Sequence, residues 1–484
     1  MKLFRWLAWS SLDAVGRLLL LLVGTIVISR LLTPRDLGIC ALVLIVANTG
    51  AVFAGAPYEE ALAQRKVLRR AHVATVLTAT WAVGALLTIA SVPLGFLMAW
   101  GYGQPEIVWL LPFASLGIML SGQGDVMTGV ARRLRRFDTI AIATLAGNGF
   151  GVALAIVLAI SGFGVWALII QRIATLAARA LILHLELRLW VTPAWHADKF
   201  ADLNKFARIT LLDRLSDNVN HLAFNTVVAS LYGLPALGYV NMAMRFIEPI
   251  RAMVGITAHN VAFSHFAAAQ GGSEGLVQRL QSTSALASLV IVPIFAGLAA
   301  VTPVLLPLFA GPGWEPAIPI GICLAIGSAL ALPARLVFSA LSANGRPEFS
   351  LLANGSGLAA TLSVLIGASA FGPISVGAAR MAGDAAQALV AILVVPTGFS
   401  WGRLARLHML SKAWLLSAIM AVLVFSLNFL LSGFYPISRL LCGVVAGGCI
   451  YAVLVKTFSP TQFRAMIDRL KRRPDDTPVQ ARQS

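Results

Sequence analysis

The sequence predicts an all-α integral membrane protein of about fourteen transmembrane helices, forming two six-helix bundles related by a pseudo-twofold repeat and followed by two C-terminal helices. The 484 residues are 58% hydrophobic and only 12% charged, with a mean hydropathy of +0.83, a composition that soluble domains do not reach. Apolar stretches recur from Leu12 to Phe458. Most are near the roughly 20 residues that a helix needs to cross a bilayer, and about twice the length of a barrel strand.

The first apolar stretch predicts a membrane span, although two cations precede it as in a signal peptide. No small-residue cleavage site follows it; the run ends at Ser29–Pro34, a helix stop, and a second span begins at once. Hydropathy places the spans at about 11–31, 38–62, 72–99, 107–131, 138–160, 163–186, 208–231, 237–266, 283–309, 317–342, 350–371, 373–398, 412–432 and 436–457.

The distribution of basic residues predicts the orientation of the chain. A net charge of +17 suggests nucleic-acid binding, but the cations cluster in alternate loops, at 65–70 and at 132–136. The opposite loops, near Gly103 and Gly162, are almost free of charge. Basic residues accumulate on the cytoplasmic side of spans. We therefore expect a multi-pass protein of the bacterial inner membrane with both termini in the cytoplasm, and no nucleic-acid partner.

Two cytoplasmic segments are amphipathic. Phe200, Leu203, Phe206 and Ala207 form one apolar face between spans six and seven, and a second follows Pro460; we expect both to lie on the membrane surface. The predicted organisation is then an N-terminal bundle, a linker with its amphipathic segment, a C-terminal bundle, two additional spans and a basic cytoplasmic tail, at 1–187, 188–207, 208–400, 401–458 and 459–484.

Self-comparison indicates an internal duplication. Asp13–Gly38 aligns with Asp213–Gly238 without gaps, so that Leu37-Gly38 meets Leu237-Gly238. Phe163-Gly164 similarly falls on Phe371-Gly372 at nearly the same offset. An even number of spans separates the copies, so the two halves have parallel topology.

Charged side chains inside the spans are the candidate functional residues, because each costs roughly 2.5–3.5 kcal/mol at a helix centre on insertion scales. Arginines exceed carboxylates, which predicts a net cationic cavity and an anionic substrate, since guanidinium groups match phosphate oxygens in fork geometry. The candidate substrate-binding cations are Arg172, Arg245, Arg251, Arg380 and Arg17, and the candidate coupling or salt-bridge carboxylates are Asp217, Glu248, Asp384 and Asp213. Asp125, Arg214 and the Glu59-Glu60 pair lie nearer the span ends, and we expect structural roles for them.

Catalytic and cofactor motifs are absent from the sequence. There is no Walker pattern, Gly-x-Ser-x-Gly elbow or His-Glu-x-x-His, and no long soluble loop to hold a transferase site. The cysteines and histidines lack metal-ligand spacing. We expect neither an enzyme, nor a cofactor, nor a metal site.

Several local motifs resemble those of bacterial polysaccharide-transport flippases, members of the superfamily that also holds multidrug and toxin extruders. They are Ile28–Gly38, Ala61–Lys66, Arg132–Phe137, Gly164–Leu168 and Leu237–Tyr239. The resemblance covers about residues 8–400. It implies two six-helix bundles around a cavity that opens alternately to either side. The implied substrate is undecaprenyl-diphosphate-linked oligosaccharide, moved to the periplasmic leaflet for exopolysaccharide, capsule or lipopolysaccharide assembly, with membrane lipids and the polymerase and export machinery as partners.

Other functions remain open at this point. A cation-coupled multidrug exporter of the same superfamily should have an acidic or apolar site, which the arginine excess disfavours. A peptidoglycan-precursor flippase shares the anionic lipid substrate and is poorly separated by sequence. A non-transporting scaffold for polysaccharide enzymes would leave the many charges in spans as an unexplained cost. A membrane-embedded glycosyltransferase or ligase lacks a catalytic constellation.

Overall fold

A computed structural model of the chain describes the backbone of residues 16, 20, 22–65, 67–267, 273–343, 348–394 and 403–460, and the side chains at most of these positions. All regular structure within these ranges is helical. The helices are α1 Leu22–Leu31, α2 Pro34–Ala54, α3 Ala56–Gln64, α4 Arg70–Tyr102, α5 Ile107–Arg133, α6 Phe137–Ile160, α7 Val165–Leu187, α8 Ala197–Ala267, α9 Ser273–Ala310, α10 Ala317–Ala343, α11 Glu348–Gly367, α12 Ile374–Val394, α13 Arg403–Leu430 and α14 Pro436–Phe458.

Twelve helical stretches of the described chain are long and apolar enough to cross a membrane, which confirms the predicted all-α membrane fold class. One of them, Asn218–Gly255, has 38 residues and contains Gly233, whose φ of 81° and ψ of 169° are not helical. Gly233 therefore divides α8 into two arms, 197–232 and 234–267. The shorter helix α1 begins directly after undescribed residues, so the count of fourteen spans stays a prediction.

The short connection between α1 and α2 follows from local sequence chemistry. Thr33 is the N-cap of α2: its hydroxyl accepts a hydrogen bond from the Asp36 backbone N–H at 3.2 Å, and the Asp36 carboxylate accepts one from the Thr33 N–H at 3.0 Å. Pro34 occupies the first helical position, where no backbone donor is needed. This reciprocal cap lets the second span begin within two residues of the first.

The described helices form two compact units. The first unit contains the described residues up to Phe246 together with Phe309–Ala317 and Leu365–Pro373; the second contains Ile247–Leu308, Ile318–Val364 and the described residues from Ile374 onward. The bundle boundaries predicted from sequence are not tested by this grouping and remain a prediction.

Small residues allow one pair of helices in each unit to pack closely. In the first unit, Gly151 of α6 packs directly against Thr175 of α7, and a Cβ at Gly147 would lie 3.0 Å from the Thr175 carbonyl oxygen. In the second unit the two residue types are exchanged, because Gly383 of α12 packs against Thr361 of α11. A larger residue at Gly147 or Gly151 would collide with α7, so both glycines allow α6 and α7 to pack closely.

The backbone also repeats at the start of corresponding helices. Gly164 precedes α7 with a φ of 53°, and Gly372 precedes α12 with a φ of 71°. Both values lie in the left-handed region, which glycine adopts without a Cβ penalty. The aligned Phe-Gly pairs of the sequence thus mark the same backbone turn in both copies, in agreement with a duplicated fold.

The linker before the seventh span is part of the first unit. Leu203 and Ala207 are each only 2% exposed and join the core cluster that includes Leu62 and Val76. Arg65 donates a hydrogen bond to the Asp202 carboxylate on the same segment. The prediction that this apolar face lies on the membrane is therefore wrong for Leu203 and Ala207, because residues near the ends of the neighbouring spans cover them.

Other parts of the two predicted amphipathic segments are not described by the structure. The side chain of Phe206 and the second amphipathic segment, which follows Pro460, lie outside the described part of the chain. The final predicted span, by contrast, docks within the second unit: the Tyr451 hydroxyl of α14 donates to the Leu289 carbonyl oxygen of α9 at 2.8 Å. Gly297 of α9 meets the Met420 side chain of α13, so α13 and α14 both pack on α9.

Candidate functional site: arginines within the membrane-spanning helices

Six of the nine candidate side chains are described. Arg172 and Arg245 lie in the first unit, whereas Glu248, Arg251, Arg380 and Asp384 lie in the second. Arg17 lies outside the described residues, and Asp213 and Asp217 belong to the first arm of α8 with their side chains outside the description. The surroundings of the six divide them into two groups.

Arg172 is half-buried on α7, about 10 Å along the helix from its first residue at 1.5 Å per residue. Its Nη2 donates to Asn48 Oδ1 of α2 over 3.2 Å. Asp125 of α5 acts on Arg172 electrostatically, but its ion pair is formed with Arg179, whose Nη1 lies 3.4 Å from Asp125 Oδ1. Arg172 is thus held by a neutral amide and forms no ion pair with a described carboxylate.

The other charges of the first unit are arranged in pairs. Arg179 completes its contacts by donating to Thr128 Oγ1 at 2.7 Å. Near the ends of the spans, Arg132 lies 3.0 Å from Glu59 and Arg214 lies 2.8 Å from Glu60. These pairs agree with the structural roles predicted for Glu59, Glu60, Asp125 and Arg214.

Arg245 is half-buried on the second arm of α8, about 18 Å from Gly233 along the helix. It forms neither a hydrogen bond nor an ion pair with any side chain that the structure describes, and the neighbouring titratable group is the buried Cys40 thiol of α2. Pro249 lies one turn further on and has no N–H to donate to the Arg245 carbonyl oxygen. The backbone nevertheless stays helical at Pro249, and the break in α8 lies at Gly233.

The candidate residues of the second unit form a charge-balanced cluster. Arg251 Nη2 donates to Asp384 Oδ1 at 3.0 Å, and both side chains are nearly buried, at 6% and 7% exposure. Arg251 Nη1 lies 3.7 Å from Glu248 Oε1, and Arg380 interacts electrostatically with the same three groups. Two guanidinium groups and two carboxylates therefore compensate one another.

The two groups have different chemical capacities. A buried ion pair whose partners satisfy each other contributes mainly to structure, because each partner offsets the desolvation of the other. A guanidinium with no carboxylate ion-pair partner has N–H donors in fork geometry that suit two oxygens of a phosphate. Arg172 and Arg245 belong to this second class, whereas Arg251 and Asp384 belong to the first.

Sequence reasoning did not find the polar neighbours of these arginines. Asn48 was a visible signal, since it is an amide side chain in the middle of an apolar stretch. Arg179 is visible in the sequence as a cation within an apolar stretch, but its pairing with Asp125 of another helix is not. Helical spacing identifies residues that share one helix face, and these contacts join different helices.

Comparison with known proteins identifies relatives over most of the chain. A family described as polysaccharide biosynthesis protein matches residues 27–319. The succinoglycan biosynthesis transport protein ExoT of Rhizobium meliloti (strain 1021) is 24% identical, with 99% of this chain and 97% of the relative aligned. The lipopolysaccharide biosynthesis protein WzxC of Escherichia coli (strain K12) is 21% identical over 72% of this chain and 71% of its own.

Solved structures show the same fold. The lipid II flippase MurJ in an inward closed conformation superposes with a TM-score of 0.75 at 15% identity, covering 96% of this chain and all of that one. An inward-facing multidrug resistance MATE family transporter of the MOP superfamily superposes with a TM-score of 0.56 at 18% identity, covering 82% of this chain and 96% of its own. The chain therefore has the helical architecture that these transporters share.

Proposed function

The chain belongs to the polysaccharide biosynthesis protein family, and from that membership we propose that it is a flippase for undecaprenyl-diphosphate-linked oligosaccharide. It moves the lipid-linked sugar from the cytoplasmic to the periplasmic leaflet of the inner membrane by alternating access. The product serves exopolysaccharide, capsule or lipopolysaccharide assembly, and the polymerase and export machinery receive it. Support comes from the names of two relatives, which are a succinoglycan transport protein and a lipopolysaccharide biosynthesis protein.

The observation that most supports an anionic lipid substrate is the state of Arg172 and Arg245. Among the described side chains, Arg251 forms ion pairs with Asp384 and Glu248. Arg172 instead donates to the Asn48 amide while Asp125 is paired with Arg179, and the titratable neighbour of Arg245 is the Cys40 thiol. A guanidinium kept within a spanning helix without a carboxylate is costly unless a ligand supplies the anion. In this proposal the two arginines bind the diphosphate and head group while the prenyl tail stays in lipid.

The proposal includes ion coupling through a carboxylate. Asp384 is the best-placed candidate: its Oδ1 is bonded to Arg251, while its buried Oδ2 accepts no hydrogen bond from a described residue and faces Gly327 of α10. A proton or small cation at Oδ2 would weaken the hold of Asp384 on Arg251. Asp213, Asp217 and Glu248 keep their proposed role as coupling or salt-bridge carboxylates.

A multidrug exporter is the second candidate, because the fold is also that of MATE family transporters. Such an exporter of organic cations needs an acidic or apolar site. Among the described candidates, the exposed carboxylate Glu248 lies beside Arg251, whereas Arg172 and Arg245 form no ion pair with a described carboxylate, and their positive charge would repel an organic cation. The charge of the site therefore favours the lipid-linked anion over the cationic drug.

The experiment that tests the proposal compares a deletion strain with the strain complemented by the gene. The measured quantities are surface polysaccharide and the leaflet in which lipid-linked repeat units accumulate. We expect the deletion to lose surface polymer and to trap diphosphate-linked units in the cytoplasmic leaflet. Normal polymer together with new sensitivity to cationic drugs would instead assign the chain to the exporter class.

Substitutions then test the site in the complemented strain. Arg172→Gln and Arg245→Gln should each lower the rate of translocation by about 30-fold, since a hydrogen bond to a charged group contributes about 2 kcal/mol. Arg172→Lys and Arg245→Lys keep the positive charge but lack the two-pronged guanidinium geometry. Their translocation rates should therefore lie between those of the wild type and of the glutamine variants. Arg70→Gln, at an exposed cytoplasmic position on α4, is the control for loss of one positive charge. Wild-type translocation in both glutamine variants would refute the proposed phosphate site.

A further inference from the structure

The connection between α1 and α2 meets the turn between the two arms of α8 at an unusually close backbone crossing. A Cβ added at Gly38 would lie 2.7 Å from the Leu234 carbonyl carbon, and one added at Gly238 would lie 2.7 Å from the Pro34 carbonyl carbon. Separations below about 3.0 Å do not occur for real Cβ atoms. The obstacle in both cases is backbone, which cannot rotate aside as a side chain does. Only glycine fits at either position.

The two contacts are copies of each other under the internal repeat. The alignment that places Gly38 on Gly238 also places Pro34 on Leu234. The contact of Gly38 with Leu234 therefore becomes, on exchange of the two copies, the contact of Gly238 with Pro34. Each copy contributes the same glycine and receives the same carbonyl, so the crossing lies on the local twofold axis of the repeat.

Neighbouring loops reinforce the crossing. Trp314 is 2% exposed, and its indole N–H donates to the Ser29 carbonyl oxygen at 3.0 Å. The Tyr239 ring stands edge-on to Trp314 with centroids 6.1 Å apart. The Tyr232 hydroxyl donates to the Leu365 carbonyl oxygen at 2.6 Å. Segments from four places in the chain thus converge at one end of the helices, the end that the charge distribution places outside.

We propose that the Gly38–Gly238 crossing is the outer closure of the transport path, a glycine-lined contact that parts and re-forms once in every cycle. The assignment rests on the proposed transport function and orientation. A contact without Cβ atoms brings two backbones together over a small area and holds them by van der Waals packing and the Trp314 hydrogen bond. Such a contact closes tightly yet has no interlocked side chains to disengage, which suits a reversible closure.

The chain has its own reporter for this closure. Cys40 lies two residues beyond Gly38 on α2 and is 3% exposed. Its labelling by a membrane-impermeant maleimide added outside intact cells measures opening at this end. A background carrying Cys323→Ala, Cys442→Ala and Cys449→Ala leaves Cys40 as the sole cysteine.

We expect Gly38→Ala and Gly238→Ala each to raise the Cys40 labelling rate about tenfold, because overpacking the crossing destabilises the closed form. The control is Gly149→Ala on α6, where a Cβ would meet nothing within 4 Å, and its rate should match that of the parent. Trp314→Phe, which removes only the hydrogen-bond donor, should raise the rate in the same direction.

Unchanged Cys40 labelling in Gly38→Ala and Gly238→Ala proteins that reach the membrane in parental amounts would overturn the proposal. If an alanine variant fails to accumulate, Trp314→Phe decides the question by the same measurement. Labelling needs no knowledge of the substrate. A failure of the arginine variants to affect translocation would therefore refute the phosphate site while leaving this closure to be judged by its own result.

Discussion

Removing one partner of the Arg251–Asp384 ion pair should destabilise the protein much more than removing an arginine that has no carboxylate partner. Asp384→Asn leaves the guanidinium of Arg251, which is 6% exposed, with Glu248 at 3.7 Å as its remaining anion. Because Glu248 is 44% exposed, its attraction is weakened by solvent and replaces little of what is lost. An uncompensated buried charge costs about 3–5 kcal/mol, and we expect about 3 kcal/mol here.

The double variant Arg251→Met/Asp384→Leu separates the cost of a broken pair from the value of the pair itself. Apolar side chains of similar volume remove both desolvation penalties together, so this variant should be at least as stable as the wild type. Arg245→Gln is the matched single substitution: no carboxylate loses a partner within the described chain, and the unfolding free energy should not fall.

The assay is unfolding of the purified protein in mixed micelles by titration with sodium dodecyl sulfate, followed by tryptophan fluorescence. The expected order of unfolding free energies places Asp384→Asn well below wild type, with Arg245→Gln and the double variant at or above it. An Asp384→Asn protein as stable as wild type would refute the division of the candidate residues into structural and substrate-binding groups. Equal losses for Asp384→Asn and Arg245→Gln would refute it as well.

Three local predictions follow from single contacts. Thr33→Ala removes the cap that Thr33 shares with Asp36 and should lower the unfolding free energy by about 1 kcal/mol in the same titration, whereas Thr33→Ser should not. Asp202→Asn should raise hydrogen exchange in the 197–207 segment, which the bond from Arg65 fixes. That bond lowers the pKa of Asp202 below its usual value. Protection of this segment against hydrogen exchange should therefore persist at neutral pH and be lost only as the pH falls through the lowered pKa. Loss of protection that begins at a pH above the usual pKa range of a carboxyl group would contradict this prediction. Asn48→Ala should reduce translocation without affecting stability, since its amide only orients Arg172; unchanged transport would contradict that role.

Much of the fold could be predicted because the bilayer restricts the chain so strongly. Apolar length, the cap residues Thr33-Pro34 and the repeated Phe-Gly pairs are local signals, and the structure places a helix start or turn at each of them. The surroundings of the linker were predicted incorrectly because local signals do not identify what covers an apolar face. Its apolar face was visible from Leu203 and Ala207, but the sequence did not reveal whether lipid or protein would cover it.

The candidate site was predictable in composition but not in pairing. The sequence identified three cations inside spans as equally good candidates for substrate binding, namely Arg172, Arg245 and Arg251. Their difference depends on contacts between helices that are distant in sequence, such as Arg251 with Asp384 across 133 residues. Helical periodicity carries no information about such contacts. Only the three-dimensional arrangement could distinguish an arginine in an ion pair from one without a carboxylate partner among the described residues.

The most direct test of the central claim is translocation of undecaprenyl-diphosphate-linked oligosaccharide by the purified protein in proteoliposomes. The measured quantity is the fraction of lipid-linked sugar that becomes accessible to a glycosidase outside the vesicles. The proposed function predicts transfer by the wild type and by Arg70→Gln, and near-background transfer by Arg172→Gln/Arg245→Gln. Equal transfer by the double glutamine variant and the wild type, or none above protein-free vesicles by the wild type, would contradict it.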